Sequence, residues 1–438
     1  MTPSVGWRRL LAGRRNPIAT NLLARLGAIG ALTLASLLVA RIAGPAGVGT
    51  LVLLRVLPWL TGLVIGSGLY GATPYFLSGP GRREPRYRAT IVAIAAAAGV
   101  AGSLLWIAAS PLFGPRFFPQ LSLALVALAG VSVLTQVLES TAMACSQGFD
   151  DLAGANRIIF LEEFMFLPFF GLLLVVGVGP YQAMVVALLL GDLATSIPGW
   201  IRLARRGYFS GAGRPSPGLA RKVAAYGFKA QLGSIALLLN ARLDFAIVGA
   251  LIGPASLGIY AVASRYAELL RLPALAMNYV LYPTYARDGG AVAAAGVRRM
   301  LPRIGWIPAA VAVPMALAAP LVLPLFFGEP FRAAVVPAWI LLVGLAGGGV
   351  TGVISAYLSG VNRPGLYSAA LGAGLPVTVV LDLLLIPPFG VAGAAVASAV
   401  AYLVTTGVLL ACFRVVARQP GPNGGTGEST ESRAEVAG

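Results

Sequence analysis

Arg265, Glu268 and Arg271 stand three positions apart, and no other charge falls between residues 253 and 286. In a helix this spacing puts all three on one face, on successive turns. A charge at the centre of a bilayer costs about 2.5–3.5 kcal/mol on insertion scales, so such a group needs a reason to be there. One carboxylate cannot neutralise two guanidinium groups. The face therefore keeps a positive charge suited to pyrophosphate or sugar carboxylates, with Glu268 holding the arginines in place. The competing reading is a self-paired Arg–Glu–Arg ladder that only fixes helix packing. Arg242 and Asp244 are two apart and point to different faces, which argues against a simple local pair and leaves cavity lining open. Lys229 lies within one to two turns of a span edge, where snorkelling competes with function.

Other ionisable residues are more ambiguous. Arg25 precedes a short uncharged run that ends at Arg41, which fits an interfacial position. Arg55 reads as the outer edge of a span, since residues 56–77 alone can cross a bilayer. Asp192, Glu139 and Asp382 are lone intramembrane acids. Each is a candidate carrier of a coupling proton or Na⁺, or a partner for one of the arginines. Glu162 and Glu163 are only about two turns into their span and read as interfacial. The chain has no histidine, so Ser-His-Asp catalysis and imidazole metal sites are excluded. Cys145 and Cys412 form no CxxC pair. No catalytic residue, metal site or cofactor is expected.

The elements that must position these residues follow from composition. Of 438 residues 58% are hydrophobic and only 11% charged, yet 32 Lys and Arg face 15 Asp and Glu, a net charge of +17. An ordinary soluble protein is about 25% charged. This chain is therefore an all-α integral membrane protein, and its basic excess is a matter of topology rather than of nucleic-acid binding. About twelve stretches reach spanning length: 18–42, 48–76, 89–110, 119–146, 156–177, 181–204, 223–252, 257–285, 302–327, 333–359, 366–386 and 390–416. With a cytoplasmic N-terminus, most Lys and Arg fall inside, and only Arg41, Arg116 and Arg332 fall outside. This positive-inside pattern predicts a multi-pass protein of the cell membrane with both termini cytoplasmic. The expected organisation is a basic N-terminus (1–17), a six-helix lobe (18–204), a basic loop (205–222), a second six-helix lobe (223–416) and a disordered cytoplasmic tail (417–438). The outer loops are too short to house an active site, which argues against a membrane polymerase or acyltransferase. A scaffold would need no central charge.

The two lobes are repeats. Gly44-Pro45-Ala46-Gly47-Val48-Gly49 corresponds to Gly253-Pro254-Ala255-Ser256-Leu257-Gly258 at an offset of 209 (253 less 44). Tyr70 and Pro74 fall on Tyr279 and Pro283 at the same offset. An even number of spans per repeat makes the lobes pseudo-symmetric about an axis along the membrane normal.

Ala40-Arg41 with Gly44-Pro45 and Gly49 resembles the "A-R-x-L-G-P-x-x-x-G" signature that closes the first span of polysaccharide exporters. Arg242-Leu243-Asp244 with Gly253-Pro254-Ala255-Ser256-Leu257-Gly258-Ile259-Tyr260 is similar to its second-half counterpart, and residues 356–364 to the ending of the tenth span. Over about residues 18–416 the chain resembles the polysaccharide transporter (Wzx-like) branch of the multidrug/oligosaccharidyl-lipid/polysaccharide (MOP) flippase superfamily. The resemblance implies a MOP-flippase-like fold that moves an undecaprenyl-pyrophosphate-linked glycan to the outer leaflet by alternating access. It also implies cavity arginines on the first two spans, which raises Arg25 and Arg55. Expected partners are that glycan, membrane lipids and polysaccharide-assembly proteins, with no nucleic acid. Alternatives within the superfamily are a cation-coupled multidrug exporter, which would prefer an acidic or aromatic cavity, and a lipid-linked peptidoglycan precursor flippase.

Overall fold

The computed structural model describes residues 17–66, 68–79, 84–211, 213–271, 290–361 and 363–418, and gives the backbone alone for 17–19, 229–241, 291, 303–305 and 364. Among the described residues there is no strand. The helices are α1 (Pro17–Ile65), α2 (Leu69–Ser78), α3 (Arg86–Phe117), α4 (Leu123–Ala129), α5 (Val131–Gly148), α6 (Leu152–Phe164) and α7 (Phe166–Val175). They continue with α8 (Pro180–Arg205), α9 (Pro217–Glu268), α10 (Gly290–Phe327), α11 (Val335–Leu345), α12 (Gly348–Gly360) and α13 (Pro364–Val416). Short 3₁₀ turns occupy Leu269–Arg271 and Glu329–Ala334.

Nine helical segments among the described residues are long and apolar enough to cross a membrane. Two of these, in α1 and α13, fold back at Gly44 (φ 63°) and Gly390 (φ 57°), so each supplies two arms. Helix α9 breaks likewise at Gly253 (φ 84°), which adds the arm ahead of it. Counted by arms, the described residues supply about twelve crossings, as expected. The turn glycines must adopt a left-handed backbone that other residues reach only at a cost, and the proline after Gly44 and Gly253 then starts the returning arm. Large apolar side chains stay exposed along the helices, such as Leu112, Val175 and Leu317. Surfaces of this kind are stable in lipid and not in water.

The chain packs as two compact units. The first runs through Val262 and takes in Leu323–Ala333; the second holds Ala263–Val322 and the residues from Ala334 onward. In the first unit α5 lies centrally, against α1, α2, α3, α6 and α8. Small residues allow the close approach that membrane helices use. A Cβ on Gly99 or Gly102 of α3 would lie 2.6 Å from Leu134 or Val133 of α5. The second unit packs α11 and α12 against α13, with Gly344 fitted over Ala399, whose Cα would lie 2.5 Å from an added Cβ.

The two repeated turns meet inside the first unit. A Cβ on Gly49 would fall 1.7 Å from the Pro254 carbonyl oxygen, and one on Gly258 would fall 2.0 Å from that of Pro45. The contact is reciprocal, as the sequence repeat requires. Two arginines bracket it. Arg41 donates to the carbonyls of Leu325 and Phe326 at the end of α10. Arg116 donates to those of Ala250 (2.6 Å) and Leu251 (3.2 Å) at the end of the first arm of α9. Shifted by the repeat offset, Arg41 falls on Ala250 and Arg116 on Leu325, so the two bracing contacts are mirror copies of each other. Each places a cation on the negative end of a helix.

Candidate functional site: buried charges in two units

In the first unit, residues from four helices gather around Arg55. The second arm of α1 carries Arg55, whose guanidinium pairs with Glu163 of α6 and lies 5.5 Å from the Phe166 ring centre. Its Nε and Nη2 are buried with no hydrogen-bond partner among the described residues. Glu139 on α5 is only 3% exposed, and its Oε1 is likewise unpartnered. One turn earlier, Thr135 Oγ1 donates to Asp192 Oδ2 of α8 at 2.6 Å. Glu139 feels the charges of Glu162, Asp192, Glu163 and Arg55. Four carboxylates thus share one guanidinium, an imbalance that an apolar surrounding does not tolerate as bare charge.

Beside this cluster lies a cavity of about 220 Å³ between α1, α2, α5 and α6. Glu139, Glu162 and Gln136 line it together with Trp59 and Tyr70. Arg25 stays exposed near the start of α1, where its Nε donates to Asn21 (3.0 Å), and Asn21 in turn donates to Asn156 of α6 (2.7 Å). Its charge still reaches Tyr70 on the cavity wall.

Asp244 and Arg242 separate, as their spacing predicts. Asp244 is buried and accepts from the Phe245 N–H (2.8 Å) and from Tyr260 Oη (2.7 Å), which ties the two arms of α9 across the Gly253 break. Arg242 is half-buried, its guanidinium 5.5 Å from the Phe245 ring centre.

The Arg265–Glu268–Arg271 group belongs to the second unit. Arg265 and Glu268 are half-buried on the last turn of α9. The α-helix ends at Glu268 and passes into a 3₁₀ turn that carries Arg271, exposed and 5.9 Å from the Tyr402 ring centre. A 3₁₀ turn has three residues per turn, so residues at i and i+3 stay on one side of the backbone there. Asp382, on the first arm of α13, is fully buried. The Lys229 side chain lies outside the described residues.

Sequence reasoning missed the roles of Glu162 and Glu163. Counting turns put both near the interface, whereas the structure pairs Glu163 with Arg55 and turns Glu162 into the cavity. The available signal was two adjacent acids inside an apolar span.

Comparisons with known proteins agree with this architecture. Lipid II flippase MurJ in an inward closed conformation superposes with TM-score 0.74 at 13% identity, covering 92% of this chain and 89% of that one. An inward-facing multidrug resistance MATE family transporter of the MOP superfamily gives 0.72 at 15%, covering 88% and 94%. A MOP superfamily transporter from Pyrococcus furiosus, described as having a binding pocket of reverse polarity, gives 0.59 at 14%, covering 96% and 100%. No curated protein matches the sequence. Residues 38–336 match the family described as "Polysaccharide biosynthesis protein". With most of its length matched, the chain belongs to the polysaccharide biosynthesis protein family, on a fold like that of MurJ and the MATE transporters.

Proposed function

We propose that this multi-pass membrane protein is a flippase, not an enzyme. It moves an anionic lipid-linked oligosaccharide, an undecaprenyl-pyrophosphate-linked glycan, from the cytoplasmic to the outer leaflet for cell-surface polysaccharide biosynthesis. Family membership supports a cargo that belongs to polysaccharide biosynthesis. The observation that carries the anionic reading is the i, i+3 spacing of Arg265, Glu268 and Arg271, two cations to one anion in an otherwise uncharged stretch. Guanidinium forks match phosphate oxygens two at a time, so binding there is both strong and oriented. The acid-rich cluster around Arg55 suits the other half of the task. Glu139 and Asp192 are placed to take up a coupling cation, most simply a proton, while the lobes alternate in access. Arg25, Arg242, Lys229 and Asp382 are supporting positions.

That acidic cluster also supports a second reading, a cation-coupled multidrug exporter of the same superfamily. A lipid-linked peptidoglycan precursor flippase differs from the first reading only in its glycan. Vesicles loaded on one leaflet with a fluorescent polyprenyl-pyrophosphate oligosaccharide separate the cases. Wild-type protein should equilibrate the probe between leaflets. Arg265→Ala and Arg271→Ala should abolish this while inserting normally, and Arg→Lys should recover only part of the rate. Unchanged flipping in the Ala variants, or export of lipophilic cations alone, would overturn the proposal.

A further inference from the structure

The cavity of the first unit has a chemistry of its own. Its buried unpartnered polar atoms are acceptors. Glu139 Oε1 and Gln136 Oε1 stand one turn apart on α5, both buried and with no hydrogen-bond partner among the described residues. Glu162 faces the same space from α6, and Ser140 adds a hydroxyl. No Lys or Arg is among the described lining residues. Trp59 and Tyr70 supply aromatic surface. Buried acceptors without donors cost free energy, and a ligand rich in donors would satisfy them. A volume of about 220 Å³ exceeds by several-fold the roughly 30 Å³ that one water occupies in the liquid. It is well below the roughly 300–1,000 Å³ of drug-sized sites. Such a space fits one sugar ring: hydroxyl hydrogens toward the acceptors, and the C–H face against an aromatic ring.

We propose that this cavity is a monosaccharide subsite that takes one pyranose ring of the glycan, favouring a ring with a free amine and rejecting an acidic one. The inference rests on the flippase reading and deepens it: a neutral or amine-bearing sugar of the cargo goes to the acceptors of the first unit. An ammonium group gains from Glu139 and Glu162 together, whereas a uronate meets like charge.

The test is titration of methyl glucoside, glucosamine and glucuronate into the purified full chain in detergent, read by calorimetry and tryptophan emission. Glucosamine should bind saturably, methyl glucoside more weakly, and glucuronate not at all. Trp59→Phe should remove most of the emission change and weaken, without abolishing, the calorimetric signal. Glu139→Gln, which keeps an acceptor oxygen and the side-chain shape, should retain methyl glucoside binding and lose about tenfold in preference for the amine, the scale of a charge-assisted hydrogen bond. Equal binding of all three sugars, no saturable binding, or displacement by the bulky cation tetraphenylphosphonium would overturn the subsite. If sugars fail to bind while the vesicle assay still shows flipping, only this inference falls. If sugars bind and no lipid is flipped, the subsite stands and the flippase reading falls.

Discussion

Arg55 and Glu163 are 17% and 21% exposed, and around them Glu139 and Asp192 have still less access to water. Removing one partner of a buried pair costs about 3–5 kcal/mol when burial is complete, and the partial exposure here lowers that figure. Arg55→Ala should therefore destabilise the first unit more than Glu163→Gln does, because it strands several acids rather than one cation. Thermal unfolding in detergent reads the difference, and adding Glu163→Gln to Arg55→Ala should restore part of the loss. A second residue-scale effect lies outside the spans. Asp151 caps α6 through the Gly154 N–H and receives Arg202 at 2.6 and 2.9 Å and Arg206 at 2.5 Å. Burial alone would raise its carboxyl, yet the Arg202 hydrogen bonds, the Gly154 N–H and both cations hold it below the ordinary value of 3.8. A depressed carboxylate stabilises above its unfolded pKa and loses that contribution as pH falls through the folded one. Asp151→Asn, which can still cap the helix, should lower the neutral-pH unfolding midpoint through loss of the Arg202 and Arg206 ion pairs and flatten the decline below pH 4. At this scale the sequence exposed individual charges well, since a lone Arg or Asp in an apolar run is visible by eye. Their pairing was hidden, because Arg55 and Glu163 are 108 positions apart.

Helices carry the repeat, and the glycines of the turns separate two kinds of constraint. An added Cβ at Gly44 meets nothing within 4 Å, but the backbone is left-handed at φ 63°. Gly49 has an ordinary backbone but no room, with the Pro254 oxygen 1.7 Å from any Cβ. Gly44→Ala should thus cost about 1–2 kcal/mol through the left-handed conformation alone. Gly49→Ala and Gly258→Ala should cost more, because they push the two turns apart. The order of unfolding midpoints, Gly44→Ala above Gly49→Ala, checks this, and the reverse order would sink it. Arg41→Ala and Arg116→Ala should each cost about 0.3–1 kcal/mol, the usual worth of a cation at a helix C-terminus. The G-P-A-x-x-G spacing made the turns and their duplication legible from sequence. That they rest on each other was not legible, since contact between copies leaves no trace in the order of residues. The same holds for Arg41 and Arg116, whose place near span ends was legible while their bonds to helix-end carbonyls appear only in three dimensions.

For the whole molecule, composition alone specified a membrane protein, because a chain 58% hydrophobic and 11% charged cannot cover its surface in water. Helix boundaries sharpened that statement, since three of the long helices hide a break at one glycine each. The positive-inside pattern proposes which end faces the cytoplasm, and chain crossing fixes what a labelling experiment should see. Three spans, Leu123–Gly148, Leu152–Val175 and Pro180–Arg205, separate Gln120 from Pro215. An odd number of crossings puts these residues on opposite faces, whichever way the molecule is inserted. Pro215 follows the basic residues 202–214, so it should be the cytoplasmic one. The native thiols are Cys145, buried, and Cys412, partly buried, and replacing both with alanine leaves a silent background. In that background Gln120→Cys should react with a membrane-impermeant maleimide in intact cells. Pro215→Cys, exposed in the structure, should react only once the membrane is inverted or broken. Pro330→Cys, also exposed, sits beside Arg332 in a predicted outer loop and should follow Gln120→Cys. If all three labelled from one side, the crossing count would be wrong. If Gln120 and Pro215 exchanged behaviour, the count would stand and the orientation would reverse, and with it the direction in which the proposed cargo is carried.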